Sequence, residues 1–330
     1  MPNLGDRNPT GEHSEVHTCI LADLSHEPEQ RAREYWSHRA VSSLERSLQR
    51  AGARTRLVNR SDIDLDGISN FLRDMLQNGV NSVVMLGDSP GTATRWNGHL
   101  YQLRDQKGPD LSVTQIRFGN PDSLPFDTVS FNGSHGTFLA ASHLLSQGHR
   151  NIGMLMSTLD NQWVRNRVAG FLRAMEMANL VGPVDFANGG HLDDERLVKA
   201  PEPPVSDEWY DTWHWSGLEL GRRYVREHEF SDRFSAFLAI NDQMAIGFME
   251  GLREAGQTVP AAVSLIGFDD QHSSKSAGLT TVHPPIEEMG EAAAALVLQR
   301  RSESSLNGNV EIMLHPTLVV RSTIAACQEC

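Results

Sequence analysis

Short runs of mostly apolar residues alternate along this chain with longer segments in which apolar positions recur every three to four residues. The runs are HTCILADL (17–24), RTRLVN (54–59), NSVVMLG (81–87), SVTQIRF (112–118), DTVSF (127–131), NIGMLM (151–156), SAFLAI (235–240) and VSLIGF (263–268). Helical periodicity covers 37–51, 67–77, 134–147, 161–178 and 242–255, and the stretch after the third run is mixed. Strands that are apolar throughout, spaced by helices, predict α/β architecture with parallel sheets covered on both faces.

In open sheets of this kind a ligand binds beyond the carboxyl ends of the strands. The residues there are polar: Asp23, Asp88, Asn120, Asn132, Asn241, Asp269 and Asp270. Segment 189–212 mixes Pro, Gly and acids without a period and reads as a long loop, and residues 1–15 read as a disordered leader.

Composition narrows the function classes. The 330 residues carry 29 Lys and Arg against 42 Asp and Glu, a net charge of −13. That field repels nucleic acid, so general DNA coating is excluded. The arginine-rich stretch 31–60 reads as the solvated face of a helix and the strand after it. Three cysteines cannot build a disulfide framework, which suits a reducing cytoplasm. The apolar stretch 292–298 falls far short of the ~20 residues a membrane span requires, and the leader has no signal-peptide core.

Several motifs fail on chemistry. Gly87-Asp88-Ser89-Pro90-Gly91 matches a hydrolase nucleophile elbow, but Pro90 lacks the N–H that the oxyanion hole requires. Cys327 and Cys330 form a lone C-x-x-C, too few ligands for structural zinc. The tryptophans carry more. Trp163 opens a helix, and Trp209, Trp213 and Trp215 cluster beside the acidic loop. Aromatic faces suit the C–H faces of sugar rings, while neighbouring acids and amides satisfy hydroxyls. The alternative is that this cluster only packs the loop onto the core.

The strings HLLSQGHRNIGMLMS (143–157), RNRVAGFLRAM (165–175), AINDQMAIGFMEGLREAGQTVPAAVSLIGFDD (239–270), LTTVHPPIEEMGEAAAALVL (279–298) and LHPTLVVRST (314–323) closely resemble the effector-binding core of the lactose/galactose-repressor (LacI/GalR) family. The resemblance is clear over 128–324. It implies a type I periplasmic-binding-protein-like fold, two Rossmann-like parallel-sheet lobes joined by three crossovers. The first lobe would be 16–131 plus 284–316, the second 132–283 plus 317–324, with a tail at 325–330. By the same resemblance Arg167 stands where an arginine grips ligand oxygens, Asn241 where an asparagine follows a strand, and Asp269 where an acid closes one. A first-lobe acid of the family falls on Gly119 or Asn120.

The expected function is therefore the ligand-sensing domain of a LacI-type transcription regulator. Its effector would be a sugar or related metabolite, bound by Arg167, Asn241, Asp269, Trp163, Asn120, Asp23 and Trp213. The resemblance implies a homodimer that reaches DNA only through a domain absent from these residues. No metal, cofactor, membrane partner or catalysis is expected. The alternatives are a stand-alone solute-binding protein, or a carbohydrate-processing enzyme with two carboxylates drawn from Asp269, Asp270, Asp211 and Asp88.

Overall fold

The structure, a computed structural model, describes residues 15–24, 35–87, 92–118, 125–158, 161–183, 194–201, 209–227, 232–302 and 308–327. Strands β1 (His17–Ala22), β2 (Arg54–Asn59), β3 (Ser82–Leu86), β4 (Ser112–Arg117), β5 (Asp127–Phe131) and β11 (Glu311–Leu314) form one six-stranded sheet in the order β11-β5-β4-β3-β1-β2. Strands β6 (Ile152–Met156), β7 (Leu197–Lys199), β8 (Ala236–Ala239), β9 (Ser264–Phe268), β10 (Thr280–His283) and β12 (Thr317–Val319) form the other, ordered β12-β10-β9-β8-β6-β7. In the second sheet β6 pairs parallel with β7 and β8, β8 with β9, and β9 with β10, while β12 returns antiparallel. Every residue of β3, β6, β8 and β9 is buried, as strands covered on both faces must be.

The helices are α1 (Tyr35–Arg50), α2 (Ile68–Gln77), α3 (Thr92–Lys107), α4 (Gly133–Ser146), α5 (Gln162–Met177), α6 (Trp209–Arg226), α7 (Asp242–Glu254), α8 (His272–Ser276) and α9 (Ile286–Ser302). Asn132, Asn161 and Asn241 start α4, α5 and α7. Each side-chain oxygen accepts from an N–H three residues on, at 2.9, 3.1 and 2.9 Å. A cap of this kind is worth about 1 kcal/mol.

Two expectations are corrected. The mixed stretch after β3 is the helix α3, held by a narrow stripe in which Trp96 and Leu100, one turn apart, are fully buried. Trp96 meets Phe71 edge-on at 6.0 Å. The supposed loop 189–212 contains β7 and the first residues of α6, so Trp213 and Trp215 are helical rather than loop residues. Its Pro and Gly content conceals a stripe of Trp213, Ser216, Leu220 and Tyr224, all buried at spacings of three to four.

Helix α6 also presents Gly217 and Gly221 to Gly247 and Gly251 of α7. A Cβ at Gly217 would collide with the Met244 carbonyl, and one at Gly247 with the His214 carbonyl. The two backbones are therefore in contact along this face.

Described residues within 1–116, 123–129 and 287–312 form one compact unit, and those within 117–122, 130–286 and 313–330 the other. Each unit carries one sheet. Among the described residues the chain passes between units at the end of β4, within β5, at the start of α9 and within β11. Residues 1–14 of the expected leader and 328–330 of the expected tail lie outside the described residues.

Candidate functional site

The carboxyl ends of β8 and β9 and the second turn of α5 meet in the second unit. Helices α4 and α5 approach so closely that a Cβ at Gly170 would run into the Ser134 carbonyl. One turn earlier, the Thr137 hydroxyl donates to the Arg167 carbonyl at 2.7 Å. That contact fixes the backbone from which the Arg167 side chain projects.

The Arg167 side chain is 5% exposed. Nη1 donates to the Ile240 carbonyl at 2.5 Å, and Nη2 to Asp269 Oδ1 at 3.2 Å. Its guanidinium lies over the Phe268 ring at 3.6 Å and over the Trp163 ring at 4.8 Å. Trp163 meets the buried Trp213 at 5.6 Å between ring centroids. Phe268, Arg167, Trp163 and Trp213 thus form one continuous series of ring and cation contacts, with the guanidinium edge bonded to Ile240 and Asp269. Cation–π contacts sheltered from water are worth about 2 kcal/mol.

Burial acts on both members of the ion pair. It lowers the Arg167 pKa, with Asp269 and Asp242 opposing the shift, and an arginine remains cationic throughout. It pushes the Asp269 carboxyl up to about 8; the Arg167 charge offsets part of the rise, and Asp242 adds to it. Near neutrality Asp269 therefore exchanges between an acceptor-only carboxylate and an acid that can also donate.

Asp269 has φ 127° and Asp270 has φ 50°, both left-handed. Such a residue costs on the order of 1–3 kcal/mol and persists only where its surroundings hold it. Asp270 is held firmly. Its Oδ1 accepts from Arg321 Nη2 at 2.5 Å, and its Oδ2 lies 2.9 Å from His283 Nδ1. Burial alone would raise the Asp270 pKa, but Arg321 and His283 more than offset it and hold the carboxyl below its ordinary value.

The structure brings Asp269 and Trp163 each against Arg167, with Asn241 directly after the carbonyl that Arg167 grips. The Asn241 oxygen caps α7. Trp213 is 2% exposed and sits behind Trp163. Asp23 belongs to the other unit, where Arg60 donates to both its oxygens, from Nε at 3.0 Å and Nη2 at 2.5 Å. Asn120, Asp88 and the elbow-like motif beyond Gly87 lie outside the described residues, as does Cys330. Asp242, Phe268, His283 and Arg321 complete the cluster without having been singled out as site residues. Asp242 had a signal, an acid next to a capping asparagine, and Phe268 ends an apolar run. His283 and Arg321 had none, for they lie 13 and 51 residues from Asp270. Among the described residues no three His, Cys, Asp or Glu side chains gather as a metal site, and no helix is long and apolar enough to cross a membrane.

Comparison with known proteins bears on the family and the fold. Residues 141–324 match the periplasmic binding protein-like domain family. Over 263 residues the chain is 26% identical to the HTH-type transcriptional repressor PurR of Aliivibrio salmonicida, covering 79% of this chain and 69% of that one. Its matches to repressors of that name in other organisms span as little as 54% of their length. Among solved structures, a LacI family transcriptional regulator from Enterococcus faecium with bound ribose superposes with a TM-score of 0.66 at 20% identity, over 94% of this chain and all of that one. The lac repressor dimer bound to operator and the anti-inducer ONPF gives 0.63 at 19%, over 94% and 95%.

Proposed function

The chain belongs to the periplasmic binding protein-like domain family, as an effector-binding core of the lactose/galactose-repressor type, and on that premise we propose that it senses a sugar or related metabolite for a transcription regulator. The observation that carries this reading is the Arg167–Asp269 pair, nearly buried at the strand ends and flanked by Phe268 and Trp163. On binding, ligand oxygens compete with the Ile240 carbonyl and Asp269 for the arginine fork, and the Asp269 carboxyl accepts from hydroxyls or, protonated, donates to one. The Trp163 ring suits the C–H face of a sugar. Asn241 belongs to the same site, with Trp213 as the backing of Trp163. Asp23 and Asn120 are further candidates from the other unit.

Control of transcription and dimerisation are part of the proposal. They are supported by the repressor names of the relatives and by the operator-bound lac repressor dimer. The relatives carry repressor names, the Asp270 carboxylate is held by Arg321 and His283, and Asp88 lies outside the described residues. A glycosidase pair would need two available acids.

A thermal-shift screen with D-ribose, other sugars, sugar acids and nucleosides tests the reading. A true ligand at 100 times its Kd raises stability by about 2.7 kcal/mol. Arg167→Ala abolishes the response while the ligand-free protein still unfolds cooperatively. A flat panel, or an undiminished response in Arg167→Ala, counts against the site.

A further inference from the structure

Asp242, in the first turn of α7, is fully buried. Its Oδ2 accepts from the Gln271 N–H at 3.0 Å and from the Ser274 hydroxyl at 2.5 Å, and its Oδ1 from the Thr281 hydroxyl at 2.6 Å. A Cβ at Gly267 would collide with Oδ1, so the neighbouring strand leaves room for this carboxylate and nothing more. Gln271 directly follows the left-handed pair Asp269–Asp270, and Ser274 lies three residues further on. Thr281 stands on the adjacent strand β10, where its Oγ1 also accepts from the Asp270 N–H at 3.4 Å.

The left-handed turn therefore has two anchors. Arg321 and His283 hold the Asp270 side chain, while Asp242 grips the backbone just beyond the turn and, through Thr281, the amide within it. We propose that Asp242 is the positioning residue of the candidate site: it sets the Asp269–Asp270 turn from behind, so that the Asp269 carboxyl lies against Arg167, and ties that turn to the helix capped by Asn241. Its part in ligand recognition rests on the function proposed above, but the anchoring does not.

The test uses the full chain without ligand, in two variants. Asp242→Asn keeps the shape but loses one acceptor oxygen. Thr281→Val keeps the shape and removes the hydroxyl bridge. Hydrogen exchange followed by mass spectrometry is expected to accelerate about tenfold across 268–275 in both, with α4 and α5 unchanged. Carbon-detected titration of the Asp269 carboxyl in Asp242→Asn is expected to move its midpoint down, because a neighbouring negative charge is gone. Equal acceleration everywhere would mark Asp242 as a general stabiliser and overturn the assignment. So would unchanged exchange across 268–275, or an unmoved Asp269 midpoint in a folded Asp242→Asn. If Asp242→Asn does not fold, exchange in Thr281→Val decides alone. Since no sugar enters this experiment, its failure leaves the proposed function standing, and a flat sugar panel leaves this assignment standing.

Discussion

The two ends of the second unit's sheet are built from different chemistry. At the amino end His149 bridges Ser235 and the Ala325 carbonyl at 2.9 and 3.0 Å, the Ala325 N–H donates to Ser264 at 3.0 Å, and the Cys327 N–H donates to the Gln147 carbonyl at 2.9 Å. That end is a chain of neutral hydrogen bonds closing over the last residues described. The carboxyl end gathers Arg167, Asp242, Asp269, Asp270, His283 and Arg321, charged groups that burial makes costly. One end is held by neutral hydrogen bonds and the other by buried charges that pair with one another, a more costly arrangement that the proposed recognition would account for.

His149 and Asp269, one from each end, respond to pH with opposite sign. Burial lowers the His149 pKa, with the Ala325 carbonyl opposing, so below about 6.5 the unfolded chain takes up a proton that the folded one refuses. The stability from His149 is present above that pH and is lost as pH falls. Asp269 behaves in reverse. Its folded pKa of about 8 exceeds the unfolded value near 4, so its contribution is complete below about pH 4 and is lost as pH rises toward 8.

The largest effect should come from Asp270→Ala, which strands Arg321 and His283 and should lower unfolding free energy in urea by about 3 kcal/mol. A loss well under 1 kcal/mol would mean that the carboxyl end has no strut of its own. His149→Ala should remove about 2 kcal/mol and open residues 323–327 to protease, since it deletes two buried hydrogen bonds. An unchanged cleavage pattern would erase the contrast between the ends. The smallest effect is expected from Asp269→Asn, within about 1 kcal/mol at pH 7, because the asparagine replaces a carboxyl already disfavoured as an anion. Its signature is instead a flatter stability profile between pH 6 and 8, measured by urea titration at each pH. A profile as steep as that of the parent would locate the proton elsewhere.

The fold was legible because the runs that become β3, β6, β8 and β9 are apolar on both faces, and the capping Asn132 and Asn241 stand just past strand ends. Helix α3 was hidden by sparse apolar content: Trp96 and Leu100 anchor it, and most of its other positions are polar. The start of α6 was hidden by the Pro-rich composition before it. For the site, the strand-end rule reached Asp269 and Asn241, but Arg167 sits inside a helix, 102 residues from Asp269, and only family resemblance singled it out. The turn around Asp269 depends on Thr281 and Arg321, contacts between distant parts of the chain that no local period announces.

The late return of the chain has a consequence for its synthesis. Strand β11 (Glu311–Leu314) completes an edge of the first sheet and β12 (Thr317–Val319) an edge of the second. On the ribosome, about 180 residues emerge between β5 and β11 before the first sheet's edge is covered, and Asp270 waits for the 51 residues to Arg321. At about 5–20 residues per second the first sheet stays unfinished for roughly ten to forty seconds and the second for only a few, an interval in which edge-to-edge association must be prevented.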